Sequence, residues 1–199
     1  MAINPAEFYE HNIIDTCSIM NILSSDTLYR ATKLTKACFY CTEFVVYECL
    51  YKPRKESVEN DLELQKRLVS ARNIGDFKSF QLDYEDLQVV DALGLRKKLG
   101  LGELSSLALA IKTRQAFLTD DQPARKFALT IPEVVAVQTV PHLISWLFFT
   151  RVLSDGEKDE ILKEHEEMGG ILSKYIVIAY NEALRCLLMV GRPLMKSGR

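Results

Sequence analysis

The stretch from Gly100 to Asp121 constrains this chain most. Gly100-Leu101-Gly102-Glu103 leads into a run in which Leu104, Leu107, Ala108 and Ile111 recur at i, i+3, i+4 and i+7, the spacing of one apolar helix face. The spacing predicts a helix that starts just after Gly102, with Glu103 in its first turn. A helix N-terminus favours the ionised form of a carboxylate, which suits a cation ligand better than a proton donor. After a short turn, Ala116 to Leu118 reads as a short buried strand, and Asp120 and Asp121 fall at its carboxyl end, where open α/β sheets place ligand sites. These two elements gather acids at one edge of a sheet.

The rest of the chain repeats this alternation. His11 to Asp15 is a compact apolar strand closed by an acid, and Thr16 follows as the expected N-cap of a helix bearing Ile19, Ile22 and Leu23. A helical pattern covers Thr27 to Lys36 and a strand Ala37 to Cys41, after which Thr42 caps a helix. In that helix Phe44, Tyr47, Glu48 and Tyr51 share the face expected to be buried, where a carboxylate needs a partner. Lys52 to Gly75 is strongly charged with a thin stripe of Val58, Leu62, Leu68 and Val69, the pattern of an exposed, projecting helix and the expected place for partner contacts. An edge strand is expected within Asp76 to Leu82, a helix over Tyr84 to Leu99, a short helix over Pro123 to Ala128 and a strand over Val134 to Val137. Strand and helix in alternation are the signature of a parallel sheet. Ser154 to Glu157 fits a capping box for a helix ending at Gly169-Gly170, and Ser173 is the expected cap of another.

Composition removes several classes. With 199 residues, 48% of them hydrophobic, the chain forms one full core without staples. Its five cysteines are odd in number and set among apolar residues, which predicts buried thiols in a reducing cytoplasm. Val134 to Phe149 is interrupted by Gln138, Pro141 and His142, so no membrane span is expected. A net charge of −2 leaves any nucleic-acid contact to local basic patches. Lys52, Arg54 and Lys55, then Arg96 to Lys98, then Arg125 and Lys126 each adjoin an acidic motif, a placement that suits phosphate contacts. Cys38 and Cys41 lack the second pair a zinc site needs. The three histidines stand apart from any nucleophile, and no phosphate-cradling glycine loop occurs.

Asp15, Glu48, Glu103, Asp120 and Asp121 each stand in an apolar context at a strand end or on a helix. Singly they read as caps, first-turn acids or an ion pair. Brought together they would repel one another until a cation neutralised them, and an all-oxygen set suits Mg²⁺ or Mn²⁺.

These residues also carry a resemblance. Ile13-Ile14-Asp15-Thr16-Cys17 resembles the first motif of PIN-domain nucleases, the fold of VapC-type toxins, with Cys17 standing where the family has Asn. Val45 to Glu48 resembles the helix of the second acid, Gly100 to Glu103 with Ala108 to Ala110 the third motif, and Leu118 to Asp121 with Ala124-Arg125 the fourth. The resemblance spans roughly residues 11 to 140, and the helical tail resembles a subgroup with a C-terminal helix pair. It implies a three-layer α/β domain over 1–145 with a central parallel sheet of four or five strands, and a helical hairpin over 146–199. By the same resemblance, Asp15, Glu48, Glu103 and one or both of Asp120 and Asp121 bind Mg²⁺ or Mn²⁺ and cleave RNA, with Thr16 and Thr119 in support, and the placement of Arg125, Lys126, Lys52 and Arg54 beside these acids puts them at RNA phosphates. An antitoxin protein is an implied partner. The apolar face from Ile176 to Leu188 predicts a homodimer. The alternative is a catalytically silent PIN fold that binds RNA or protein.

Overall fold

The computed structural model describes residues 4–53 and 59–190. In chain order these form β1 (His11–Ile14), α1 (Thr16–Leu23), α2 (Asp26–Lys33), β2 (Cys38–Thr42), α3 (Glu43–Leu50), α4 (Glu59–Asn73), β3 (Lys78–Phe80) and α5 (Tyr84–Arg96). There follow α6 (Leu101–Thr113), β4 (Ala116–Leu118), α7 (Gln122–Ala128), β5 (Val137–Gln138), α8 (Val140–Phe149), α9 (Glu157–Glu167) and α10 (Ser173–Val190).

Five short strands pair in the order β3-β2-β1-β4-β5, every pair parallel. Successive side chains of a strand face opposite ways, so each strand feeds two cores. Ile14, Cys41 and Leu118 join an apolar cluster with α1 to α4 and α8 to α10, whereas Ile13 and Phe117 join a second cluster with α5, α6 and α7. Helices therefore cover both faces in a three-layer α/β arrangement. The chain runs outward from β1 to β2 and β3, then returns to place β4 on the other side of β1. That reversal makes the carboxyl ends of β1 and β4 a topological switch point, the place where open α/β sheets form their ligand crevice.

Several elements differ from the sequence expectation for identifiable reasons. Asp15, not Thr16, caps α1: it leaves β1 with extended backbone and accepts the Ser18 N–H at 2.9 Å. In α3 the buried stripe is Val45, Val46 and Cys49, while Tyr47 and Tyr51 are 52% and 69% exposed. This helix packs against α1 and α6, where the smaller side chains allow closer approach. Nor does α4 project from the domain. It buries Leu64, Leu68 and Ala71, leaves Leu62 and Val69 exposed, and is tied down by Arg67 donating to Leu23 O and Gln65 donating to Cys49 O. Arg54, Lys55 and Val58 lie outside the described residues. Ser173 is the first residue of α10.

The 145/146 boundary falls inside α8, and α8, α9 and α10 share one apolar cluster with α1. Ile176, Ala179 and Ala183 form the inner face of α10, Ser145 donates to Ala179 O at 2.8 Å, and Tyr180 stands edge-on to Phe148. Each fully buried Ile or Leu in this layer contributes about 1.5–3 kcal/mol. Tyr175, Ile178, Leu188 and Met189 remain exposed on the outer side. His165 pins α9 to the end of α1: its Nε2 accepts the Leu172 N–H at 3.0 Å, so its Nδ1 carries the proton shared with Ser24 Oγ at 2.6 Å. Burial holds this imidazole below its ordinary pKa. Among the described residues no helix is long and apolar enough to cross a membrane.

Candidate functional site

Asp15 enters the crevice at the end of β1 and is only 1% exposed. Its carboxylate accepts hydrogen bonds from Ser18 N, from the Thr119 hydroxyl and from the Cys17 thiol, whose sulfur lies 3.2 and 3.3 Å from the two oxygens. Burial pushes the pKa of Asp15 up, against the opposing pull of these neutral donors. Asp120 follows β4 on the neighbouring strand. One of its oxygens accepts from Asn21 Nδ2 at 2.9 Å and the other from Val140 N at 3.0 Å, at the N-terminus of α8. Its own N–H donates to Ser18 Oγ. Burial, with the charge of Asp15 adding to it, pushes Asp120 up to about 6, although Asn21, Val140 and Arg125 act the other way.

The third acid arrives on α6. Glu103 reaches back to the N–H of Gly100, its own N-cap residue, which fixes the side chain over the helix start. Its pKa is raised, first by burial and then by the charges of Asp121, Asp15 and Glu48. Glu48 projects from α3 onto the same helix start, accepting from Thr16 Oγ1 at 2.8 Å and pairing with Lys52 at 3.3 Å. Gly102 is what lets it in: a Cβ there would lie 2.2 Å from Glu48 Oε2 and 3.0 Å from Thr16 Oγ1. The Gly-x-Gly-Glu spacing is thus more than a helix start, because its second glycine leaves room for another element's carboxylate.

Asp121 has a different task from Asp120. It caps α7 through Ala124 N at 2.6 Å, its N–H donates to Thr119 Oγ1, and its charge reaches Glu103. Thr16 and Thr119, expected in support, do bond acids of this group, the first Glu48 and the second Asp15. Lys52 is engaged with Glu48. Arg125 lies near enough to Asp120 to lower its pKa without forming an ion pair with it. Lys126 and Lys97 border an open groove of about 390 Å³ between α5 and α7, floored by Phe127, over which Arg96 stacks at 5.4 Å.

All five acids therefore reach the crevice end of the sheet, and the raised Glu103 senses three of the others. The donor chemistry is all oxygen, with neutral hydroxyl and amide partners. Yet each carboxylate already accepts a protein hydrogen bond, and among the described residues no three His, Cys, Asp or Glu side chains are placed to enclose a metal ion. Sequence reasoning missed Asn21 and Ser18. The available signal was that Cys17 and Asn21, four apart on α1, share a polar flank between the apolar positions Ile19, Ile22 and Leu23.

Comparison of the chain with models of protein families, with curated proteins and with solved structures gives no match.

Proposed function

We propose that this protein is a divalent-metal-dependent endoribonuclease that cleaves RNA phosphodiester bonds by activated water. The observation that carries the reading is geometric: Asp15 and Asp120, at the ends of two adjacent strands, meet Glu103 at the start of α6 with neutral hydroxyl, amide and thiol donors on the two aspartates. Burial first, and like charges after it, hold Glu103 and Asp120 above their ordinary pKa values. Carboxylates brought together with neutral donors are a group whose charge a cation would relieve. Asp15 and Asp120, with Glu103, Glu48 and Asp121 around them, would hold Mg²⁺ or Mn²⁺, and the oxygen-only donor set suits those ions. When bound, such an ion lowers the pKa of water and neutralises charge building on the phosphoryl group. Thr119 keeps Asp15 and the Asp121 backbone in register, and Arg125, whose charge reaches Asp120, and Lys126, on the groove beside α7, would meet RNA phosphates. By resemblance to PIN-domain nucleases the products would carry a 5′-phosphate and a 3′-hydroxyl, and the same chemistry serves either a toxin with an antitoxin partner or a housekeeping processing nuclease.

A second reading has its own observation. Because no three of these side chains are placed to enclose an ion, a catalytically silent fold that binds RNA or protein is the competing proposal. Incubating end-labelled single-stranded and hairpin RNAs with the protein and Mn²⁺ separates the two. Cleavage abolished by EDTA and restored by Mn²⁺ supports the nuclease. RNA retention without cleavage at millimolar Mn²⁺ supports the binding module.

A further inference from the structure

We propose that Asn21 is a positioning residue for Asp120, holding that carboxylate open for a divalent cation; the proposal rests on the metal-dependent reading above. Asn21 lies on the flank of α1 that faces the crevice, one turn beyond Cys17, and its Nδ2 donates to Asp120 Oδ2 at 2.9 Å. The other oxygen, Oδ1, takes the backbone N–H of Val140 at 3.0 Å. Each carboxylate oxygen has two acceptor positions, so one bond to each fixes the plane of the group and leaves one position per oxygen free.

The choice of an amide matters. A lysine or arginine here would also fix Asp120 but would neutralise it, as Lys112 does for Asp83 and Asp86 elsewhere in the chain. A neutral donor supplies orientation while leaving the negative charge for an ion from solution. The polar contact also joins α1, which Asp15 caps, to the turn after β4. The acids of two adjacent strands are thereby held relative to each other, with the Cys17 thiol donating to Asp15 one turn before Asn21.

The test compares wild type with Asn21→Leu, which keeps a similar volume and removes the donor, and with Asn21→Ser should the leucine variant fail to fold. Mn²⁺ affinity is read from the free-ion signal in electron paramagnetic resonance, and the metal-free melting temperature is read alongside. Loss of a residue that orients a metal ligand is expected to weaken Mn²⁺ binding about 10-fold or more. The melting temperature should stay close to wild type, and saturating Mn²⁺ should restore the RNA cleavage rate. Unchanged affinity in a folded variant overturns the role of Asn21 alone. So does a cleavage defect that excess Mn²⁺ cannot restore, since that is what a merely structural contact would give. Absence of Mn²⁺ binding by the wild type overturns the metal site and the role of Asn21 together.

Discussion

Two groups of acids in this molecule are built with the same local devices and end in opposite electrostatic states. On the far side of α6 from the crevice, Asp83 caps α5, Asp86 bonds back to the Asp83 N–H, and Lys112 lies 2.8 Å from both carboxylates. There Asp83 is held below the ordinary aspartate pKa, first by its bond to Lys112, and Lys112 is raised by the same pairing. In the crevice, Asp15 caps α1 and Glu103 bonds back to its own helix start in the same manner, but hydroxyls, amides and a thiol surround Asp15 and Asp120. Both of those acids are raised. Helix capping is common to the two regions, so it does not distinguish a site from a support. The distinction lies in whether the chain supplies the counter-charge.

Asp15→Asn is the strongest test of that contrast. Asparagine keeps the cap acceptor for Ser18 and removes one charge from the crevice, so the proposed Mn²⁺-dependent RNA cleavage should fall by roughly 100-fold or more. Without metal, the melting temperature should stay level or rise, because a buried carboxylate with a raised pKa opposes folding when ionised. A destabilised variant that still cleaves RNA would make Asp15 a structural cap like Asp83.

The pH dependence of the two regions should also differ in sign. With Asp120 pushed up to about 6 from 3.8, the native chain holds a proton between those values that the unfolded chain has released. Its contribution to stability therefore declines as pH rises through that window. Asp83 runs the other way: its contribution is present above 3.8 and is lost as pH falls below it. Metal-free melts of Asp120→Asn against wild type should show a gain on the order of 2 kcal/mol near neutral pH that shrinks towards pH 4. Asn21 can turn its amide to offer an oxygen to the new side chain, which limits the cost of the exchange. A gain that is constant with pH would place its origin outside the titration of Asp120.

Much of this layout was legible in the sequence because it is local. Asp15 at a strand end, the helix after Gly100 and the turn at Asp120-Asp121 follow from spacing and turn chemistry, and they put the acids at the carboxyl edge of a parallel sheet. The face of α3 was not legible, since eight residues carry both a Phe44/Tyr47/Tyr51 stripe and a Val45/Val46/Cys49 stripe, and only the neighbouring helices decide between them. Asn21's place on the polar flank of α1 was legible, but its pairing with Asp120 was not. Its partner lies 99 positions away, and nothing in the local pattern of α1 names it. The same holds for the buried Asn12-Gln138 contact, which links β1 to β5 across the strand between them. The chemistry written along one element could be read, whereas pairings made by chain reversal could not.

The smallest expected effect lies in the paired region and guards the comparison from the other side. Lys112 and Asp83 are both about half exposed, and such a pair adds little because water already solvates it, while the buried Asp86 keeps the Asp83 N–H when the lysine is gone. Lys112→Met should therefore lower the melting temperature by about 3 °C or less at neutral pH. Asp83 would then resemble Asp15 in lacking a cation but not in burial, because its side chain is 58% exposed, whereas Asp86 beside it is buried. Mn²⁺ titration of this variant, in an Asp15→Asn background that silences the crevice, should show no new site. If removing one lysine were enough to create Mn²⁺ affinity at Asp83 and Asp86, lack of a counter-charge alone would make a cation site, and the neutral donors around Asp15 and Asp120 would lose the role assigned to them.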